Sequence, residues 1–316
     1  MTHGLGKMAA MTASDRAATG AELWAWREKA LAEAQAAGVD ADEVDWLLMA
    51  VADVERLSLR LGTVHQRSQI TLRYSLAELE RRWQQRLTER TPVQYLVGET
   101  PWRDLMLTVS PAVLIPRPET ELIIDLAEAA IARSPLRDQL AQGIWVDMGT
   151  GSGAIALGLA QTFPSARILA VDFSAEALAI AQGNADRAGL QNCIAFYNGS
   201  WFEPLTSYRG QLSAIVSNPP YIPSALLPTL QPEVINHEPA SALDGGDDGL
   251  DDLRLLAAQA PKYLVPGGLW LVEMMTGQGE AVASLLEAQG GYRDIQICLD
   301  LAGRDRFVQA IYAPKL

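Results

Sequence analysis

Cysteine and histidine are scarce in this chain of 316 residues, which has two cysteines and three histidines. Cys193 and Cys298 each lie in a strand-like run, which favours buried core thiols over a disulfide framework. With no Cys pair beside the three histidines, a conventional zinc site is excluded, and we expect no metal. The scarcity of cysteine is typical of a reducing compartment, so we expect a cytoplasmic protein.

Long apolar runs and an excess of basic charge are also lacking. No stretch approaches the ~18–20 apolar residues that a membrane span requires, so no membrane partner is expected. The net charge is −13, whereas enzymes that bind nucleic acid usually carry a basic surface for the phosphates. The arginines between Arg81 and Arg90 alternate with apolar residues at helical spacing, which indicates a solvated helix face. The charge therefore favours a protein or a small molecule as substrate.

Three segments precede the main domain. Residues 1–19 are small and polar and lack the apolar core of a signal peptide, so we expect a disordered leader. Residues 20–90 are predicted to form a helical domain, for stability or for partner docking, and Ser75 with Glu78 fits a capping box. Residues 91–117 are punctuated by proline and glycine and are interpreted as a linker with a β-hairpin. Two apolar stripes at helical spacing support the helices: Val44, Leu47, Leu48 and Val51, then Leu76, Leu79, Trp83 and Leu87.

Residues 118–316 alternate between strand-like and helix-like segments. This pattern predicts an α/β domain with a mostly parallel sheet and helices on both faces. Ligands of such sheets bind at the carboxyl ends of the strands, where the strand order reverses. The predicted strands are 144–146, 167–171, 193–197, 212–216, 269–273, 294–299 and 306–312, and the main predicted helices are 154–163, 174–188, 250–264 and 278–288.

A glycine-rich loop, Asp147-Met-Gly-Thr-Gly-Ser-Gly153, joins the first of these strands to its helix. It is not a G-x-G-x-x-G motif and has no P-loop lysine. Asp147 would repel a phosphate but suits an ammonium group, and Asp172 closes the next strand, where a carboxylate can accept from ribose hydroxyls. A ligand with a ribose and an ammonium group but no phosphate is S-adenosylmethionine. NAD-type ligands and a purely structural turn remain alternatives.

The tetrapeptide Asn218-Pro219-Pro220-Tyr221 follows a run typical of a buried strand. Asn218 offers both an acceptor and a donor, and the prolines donate no backbone hydrogen bond, so nearby carbonyls can face a ligand. Tyr221 supplies a flat face for stacking. The motif predicts a pocket for a planar group that bears NH2. Its strand is expected beside the first one, so both motifs would face one crevice.

On these motifs the chain resembles class I (Rossmann-like) methyltransferases of planar nitrogens. It is most similar to the protein-(glutamine-N5) methyltransferases that act on peptide-chain release factors. The resemblance runs from about Arg90 to the C-terminus, and the run Leu114-Ile-Pro-Arg-Pro-Glu-Thr-Glu121 is its most specific part. Further matching segments are 92–95 with Gly98, 147–153, Asp172, 201–202, 218–221, 238–239, 245–250, 266–268 and 299–307.

The resemblance implies a seven-stranded sheet, a helical domain that grips the release factor, and a role for each motif. Trp201 would lie against the adenine, and Asp172 would bind the ribose. The methionine part of the cofactor would lie on Gly149, Thr150, Gly151, Ser152 and Gly153. The substrate amide would be bound by Asn218, with Pro219, Pro220 and Tyr221 shaping its pocket.

The expected mechanism is direct transfer to the substrate amide, without a metal or a covalent intermediate. Asn218 and the Pro219 carbonyl would accept the two N–H groups of the amide, and Tyr221 would stack on it. Two departures from the family pattern stand out. Ser200 replaces a frequent Asp, which leaves the adenine amino contact open, and we expect the unusual stretch Glu273 to Gly277 to contact no motif.

Three other functions share these motifs. A glutamine methyltransferase of a ribosomal protein has most of them. An adenine-N6 or guanine-N2 nucleic-acid methyltransferase uses the same tetrapeptide, but the acidic charge and the Pro116–Thr120 run argue against it. A non-catalytic protein that binds the cofactor is the third alternative, and the intact motifs in both halves of the site disfavour it.

Overall fold

A computed structural model describes residues 16–314 of the chain. The chain forms two compact units, which meet in sequence between Val97 and Gly98. Within the described residues, no helix has both the length and the apolar character needed to cross a membrane.

The first unit is mainly helical, and its core is closed by side chains such as Leu23, Val44, Leu47 and Trp83. The apolar stripes predicted from the sequence supply part of this core, because residues three and four apart share one helix face. Its elements are β1 (Ala17–Ala18), α1 (Gly20–Ala37), α2 (Asp42–Val51), α3 (Arg56–Arg60), β2 (Ile70–Thr71), α4 (Leu76–Glu89) and α5 (Val93–Val97), with a 3-10 turn at Thr63–Gln66.

The prediction of a disordered leader is wrong for its last residues, Ala17–Thr19, which are ordered. Residues 1–15 lie outside the described part of the chain, but β1 pairs antiparallel with β2. Thr19 then caps α1: its side chain accepts from the N–H of Glu22, and the Glu22 carboxylate accepts from the Thr19 N–H. This reciprocal capping box was not predicted. The predicted one is only half formed, because Ser75 caps Glu78 while the Glu78 carboxylate binds Arg81 and Arg82 instead.

The second unit has a sheet covered by helices on both faces. Its strands are β3 (Glu99–Trp102), β4 (Leu105–Thr108), β5 (Ile144–Met148), β6 (Arg167–Asp172), β7 (Ile194–Asn198), β8 (Leu212–Ser217), β9 (Leu264–Glu273), β10 (Tyr292–Leu299) and β11 (Asp305–Tyr312). Its helices are α6 (Leu122–Arg133), α7 (Arg137–Ala141), α8 (Ala154–Thr162), α9 (Ala175–Ala188), α10 (Pro232–His237), α11 (Asp251–Gln259) and α12 (Gly279–Gln289). Short 3-10 segments lie at Pro118–Glu121, Glu203–Tyr208, Ser224–Thr229, Ala240–Ala242 and Ala260–Lys262.

In the described part of the chain, seven strands form the main sheet in the order β10-β11-β9-β8-β5-β6-β7. All neighbours pair in parallel except β11, which is antiparallel to both β9 and β10. The central strands β5 and β8 are buried on both faces and mostly apolar, as expected of parallel strands between helices. The predicted helix 250–264 is shorter in the structure, because Pro261 cannot continue an α-helix and the chain turns into β9 at Leu264.

The hairpin β3–β4 is part of the second unit and not of a free linker. The N–H of Thr108 donates to Asn184 Oδ1 at 2.7 Å, and Asn184 Nδ2 donates to the Thr108 carbonyl at 3.1 Å. These bonds attach the hairpin to α9. Residues 93–97, also within the expected linker, form helix α5 of the first unit.

The register of the sheet brings three strand ends into one row. Met148 of β5 pairs with Ser217 of β8, and Ser217 pairs with Val272 of β9. The next residues, Gly149, Asn218 and Glu273, therefore lie side by side at the carboxyl edge of the sheet.

Candidate active site

The glycine loop turns sharply at the end of β5. Gly149, Gly151 and Gly153 have φ of +72°, +54° and +86°, a region that side chains with a Cβ rarely adopt. The N–H groups of Gly149 and Thr150 both donate to the Val171 carbonyl at 2.9 Å, which holds the loop against β6. A Cβ at Gly151 would meet no atom within 4 Å, so this side of the loop is open for a ligand.

Asp147 lies beneath this loop and has no exposed surface. Its Oδ2 accepts from the Thr150 hydroxyl at 2.5 Å and from the Ala156 N–H at 3.0 Å, while its buried Oδ1 has no hydrogen-bond partner in the part of the chain that the structure describes. Burial raises the pKa of Asp147 to about 7, and the negative charge of Asp172 acts in the same direction. The structure thus gives Asp147 a role in holding the loop, and its contact with an ammonium group stays a prediction.

The raised pKa of Asp147 predicts a stability effect. Because its folded pKa lies above the ordinary value of 3.8, the ligand-free protein keeps the proton that the unfolded chain releases, and stability falls as pH rises towards 7. Wild type is expected to lose up to about 1.4 kcal/mol of its free energy of unfolding per pH unit between about pH 5 and 6.5 through this group. Asp147→Asn should not show this loss. Urea unfolding over this range measures it, with the exposed Asp186→Asn as control. Parallel curves for wild type and Asp147→Asn would contradict the assignment.

Asp172 closes β6 and is fixed by backbone donors. Its Oδ2 accepts from the Gly151 N–H and its Oδ1 from the Ser174 N–H, both at 2.9 Å. Burial raises the pKa of Asp172, and these two hydrogen bonds oppose the rise. A carboxylate oxygen has more than one lone pair, so both oxygens retain acceptor capacity towards a ribose.

A cavity of about 460 Å³ opens at this edge of the sheet. Its volume is within the range of small-molecule sites. The predicted residues that line it are Gly149, Gly151, Asp172, Trp201, Asn218 and Pro220. The predicted residues outside its lining are Asp147, Thr150, Ser152, Gly153, Pro219 and Tyr221.

Ser152 and Gly153 serve packing instead of lining the cavity. The carbonyl of Ser152 accepts from Asn184 Nδ2 at 2.9 Å. A Cβ at Gly153 would lie 3.1 Å from the Cβ of Ala181, so the glycine allows α8 to approach α9 closely. The two residues shape the loop from behind.

The wall at Trp201 contains an acid that the sequence did not suggest. Trp201 has a φ of +48°, which is unusual for a residue with a side chain. Asp252 lines the same cavity as Ser200 and Trp201. Burial raises the pKa of Asp252, and the polar side chain of Trp201 opposes the rise. Ser200, which replaces a frequent Asp, thus lines the cavity without supplying a carboxylate. Asp252 supplies one on the same wall.

Asn218 follows β8 directly and faces the cavity, as predicted from its place after a buried strand. Its Nδ2 donates to the Thr120 hydroxyl at 3.3 Å. Among residues 16–314, no donor is hydrogen-bonded to Asn218 Oδ1 or to the carbonyl of Pro219. Both oxygens are thus available as acceptors.

Tyr221 lies behind the cavity wall, packed under the loop that follows. A Cβ at Gly245 would lie 2.8 Å from the Tyr221 Cα, and Gln278 Nε2 donates to the Tyr221 carbonyl at 3.0 Å. Its hydroxyl donates to Glu273 Oε1 at 3.1 Å, and burial raises its pKa. Tyr221 does not line the cavity, and its stacking on a substrate amide therefore stays a prediction.

Sequence reasoning missed two buried residues beside Asn218. The Thr120 hydroxyl donates to Glu273 Oε2 at 2.7 Å, and Glu273 also accepts from Tyr221, so the expectation that Glu273 contacts no motif is wrong. A signal was present, because Glu273 is an acid at the end of a strand whose residues are otherwise apolar. Thr120 belongs to the run Leu114–Glu121, for which the sequence suggested a family but no role.

The same run also fixes the loop after Asn218. Arg117 Nη2 binds both carboxylate oxygens of Glu238, at 2.8 and 2.7 Å, and the Glu238 side chain is almost fully buried. Pro118 begins the 3-10 turn at its first position. Arg117, which precedes this turn, thus connects it to the segment 232–239, whose last residue, Pro239, lines the cavity.

Comparison with known proteins defines the class of the second unit. A family model described as the methyltransferase small domain matches residues 124–240. The catalytic domain of hMettl16, solved with the MAT2A 3'UTR hairpin 6, shares the fold with a TM-score of 0.53 at 13% identity, covering 84% of this chain and 88% of that one. The second unit is therefore a methyltransferase domain of class I, as predicted.

Closer relatives define the family. The chain is 50% identical over 295 residues to the release factor glutamine methyltransferase of Synechocystis. This match covers 92% of this chain and 97% of the relative. The chain is 46% identical over 283 residues to the same-named protein of Gloeobacter violaceus, covering 90% and 94%. The chain belongs to the family of release factor glutamine methyltransferases, which confirms the resemblance drawn from its motifs.

Proposed function

We propose that this chain transfers a methyl group from S-adenosylmethionine to the side-chain nitrogen (N5) of the glutamine in the Gly-Gly-Gln motif of peptide-chain release factors. The observation that carries the proposal is Oδ1 of Asn218, which has no partner among residues 16–314 and lies in the wall of a cavity that also contains the glycine loop and Asp172. The names of the relatives point to the same substrate.

The residues present fit the proposed cofactor. Gly151 leaves open space at the loop, and Asp172 provides acceptors for the ribose hydroxyls. Among the described residues, the buried Asp147 Oδ1 has no hydrogen-bond partner. A phosphate-bearing ligand would favour a lysine or arginine in the cavity wall, and among the described residues none lines it. When bound, S-adenosylmethionine supplies an electrophilic methyl group on a sulfonium.

The chemical difficulty is that an amide nitrogen shares its lone pair with the carbonyl and is a poor nucleophile. Asn218 Oδ1 and the Pro219 carbonyl would accept its two N–H groups and hold the nitrogen in one orientation. These acceptors also stabilise the positive charge that develops on the nitrogen during transfer. The nitrogen then loses one proton to water, so no strong base is required.

Mass spectrometry tests the substrate directly. A release factor is incubated with the protein and S-adenosylmethionine, and the peptide with the Gly-Gly-Gln motif is expected to gain one methyl group on the glutamine. Ribosomal protein, DNA and RNA serve as competing substrates with tritiated cofactor. Methylation of one of these, with none on the release factor, would overturn the proposal and favour the corresponding alternative.

We further propose that residues 20–90 dock the release factor and that the protein works in the cytoplasm, where release factors act. Leu57 and Leu61 are 62% and 67% exposed and offer an apolar contact on the first unit. Replacing both by Asp is expected to raise KM for the intact release factor roughly 100-fold or more, since each leucine buried on docking contributes about 1.5–3 kcal/mol. kcat for a short Gly-Gly-Gln peptide should not change. Leu301→Asp, at an exposed site of the second unit, is the control, and equal KM values would contradict docking here.

A further inference from the structure

The amide of Asn218 has two ends, and the reaction requires one of them. Oδ1 accepts hydrogen bonds and Nδ2 donates them, so rotation of the amide by half a turn would reverse what the cavity wall offers. In the structure Nδ2 donates to the Thr120 hydroxyl at 3.3 Å, which leaves Oδ1 for the cavity. What holds the amide this way lies behind it, in the contacts of Thr120.

A buried carboxylate fixes the direction of this hydrogen-bond chain. Glu273 accepts from the Thr120 hydroxyl at 2.7 Å through one oxygen and from the Tyr221 hydroxyl at 3.1 Å through the other. Burial and the negative charge of Glu119 raise the pKa of Glu273, while these two donors and the positive charge of Arg306 oppose the rise. Both of its oxygens act as acceptors of hydroxyl donors in this geometry. An ionised carboxylate only accepts.

The direction at Thr120 follows from its single proton. Its hydroxyl donates that proton to Glu273, so its oxygen can only accept from Asn218, and only the NH2 end of the amide can provide the donor. Thr120 and Glu273 are 4% and 1% exposed, so bulk water does not replace either contact. Water-shielded bonds of this kind are costly to leave unmade.

We propose that Thr120 and Glu273 are positioning residues that hold Oδ1 of Asn218 towards the cavity and so make the site selective for a carboxamide over a carboxylate. This inference rests on the proposed function. An acceptor matches the N–H groups of a glutamine side chain, whereas it repels the oxygens of a glutamate side chain. The reversed amide would instead present donors, which suit a carboxylate.

The test compares Thr120→Val with Thr120→Ser. Valine has nearly the same shape without the hydroxyl, so the Asn218 amide loses its fixed partner. kcat is expected to fall roughly 10- to 100-fold, the cost of a misplaced reacting group, with the Kd of S-adenosylmethionine within about twofold of wild type. Thr120→Ser should restore kcat because it restores the hydroxyl. Thr206→Val, at an exposed position, is the matched control.

Selectivity provides a readout that a merely structural role would not change. A release factor with Glu in place of the target Gln is used as a competitive inhibitor. The ratio of its inhibition constant to KM of the Gln protein is expected to be lower in Thr120→Val than in wild type. In Thr120→Ser this ratio should be close to the wild-type value. Glu273→Gln should act like Thr120→Val, because an amide at 273 can donate to Thr120 and reverse the chain.

Three results would overturn the inference, provided that wild type methylates the release factor. These are wild-type kcat and selectivity in Thr120→Val, equal losses in the Val and Ser variants, or wild-type behaviour of Glu273→Gln. If Thr120→Val does not fold, as shown by its melting temperature, Thr120→Ser and Glu273→Gln decide. Failure of wild type to methylate any release factor would instead reject the proposed function.

Discussion

Asn218→Ala is expected to lower kcat for release factor methylation by roughly three orders of magnitude. The change removes the Oδ1 acceptor in the cavity wall, and loss of one such preorganised group costs about 10²- to 10³-fold. It also frees the substrate nitrogen to turn away from the methyl donor, which adds to the loss. Cofactor affinity should change by less than about threefold, since the loop and Asp172 remain in place.

Single-turnover transfer of a labelled methyl group measures the chemical step, and calorimetry measures cofactor binding separately. Asn192→Ala removes an exposed asparagine outside the cavity and is the matched control. Asn218→Asp is a second probe, because it retains an acceptor but removes the donor to Thr120. Turnover near the wild-type rate in Asn218→Ala would show that the tetrapeptide does not orient the substrate.

The strands and their functional ends could be predicted because burial leaves a strong pattern. β5 and β8 are buried on both faces and mostly apolar, so their runs stand out in the sequence, and residues directly after such runs fall at the carboxyl edge of the sheet. That rule was enough to place Gly149, Asp172 and Asn218 in one cavity.

Contacts behind the cavity could not be predicted, because they depend on register and not on local pattern. Thr120 and Glu273 are 153 positions apart, and they meet only because β9 pairs beside β8 and the turn at Pro118 leads to the same edge. The orientation of side chains around the glycine loop is equally hidden. Spacing could not show that Asp147 lies under the loop while Asp172 faces the cavity.

Composition misled the interpretation of the flanking segments. The small polar residues before Gly20 suggested disorder, yet Ala17 and Ala18 pair with β2, because a backbone ladder needs no particular side chain. The prolines and glycines of residues 91–117 suggested a linker, yet the hairpin is tied to α9 by the side chain of Asn184. In both cases a distant partner outweighs local propensity.

Asp172→Ala is expected to weaken binding of S-adenosylmethionine by roughly 100-fold or more. Hydrogen bonds to a charged group contribute about 1.5–3 kcal/mol each, and the two ribose hydroxyls would lose such an acceptor. The N–H groups of Gly151 and Ser174 lose their partner as well, which loosens the wall at the glycine loop. Adenosine has the same ribose as S-adenosylmethionine, so its affinity for Asp172→Ala should fall by a similar factor.

Removing one hydroxyl from the ligand tests whether the ribose causes this loss. 2'-Deoxyadenosine should bind wild type more weakly than adenosine does, and the two should bind Asp172→Ala with nearly equal affinity, since the acceptor is already absent. Calorimetry of both ligands with both proteins closes the cycle, and the exposed Asp186→Ala controls for loss of a carboxylate elsewhere. An undiminished preference for adenosine in Asp172→Ala would mean that the ribose is bound elsewhere in the cavity. The carboxylate would then serve only to hold the backbone of Gly151 and Ser174.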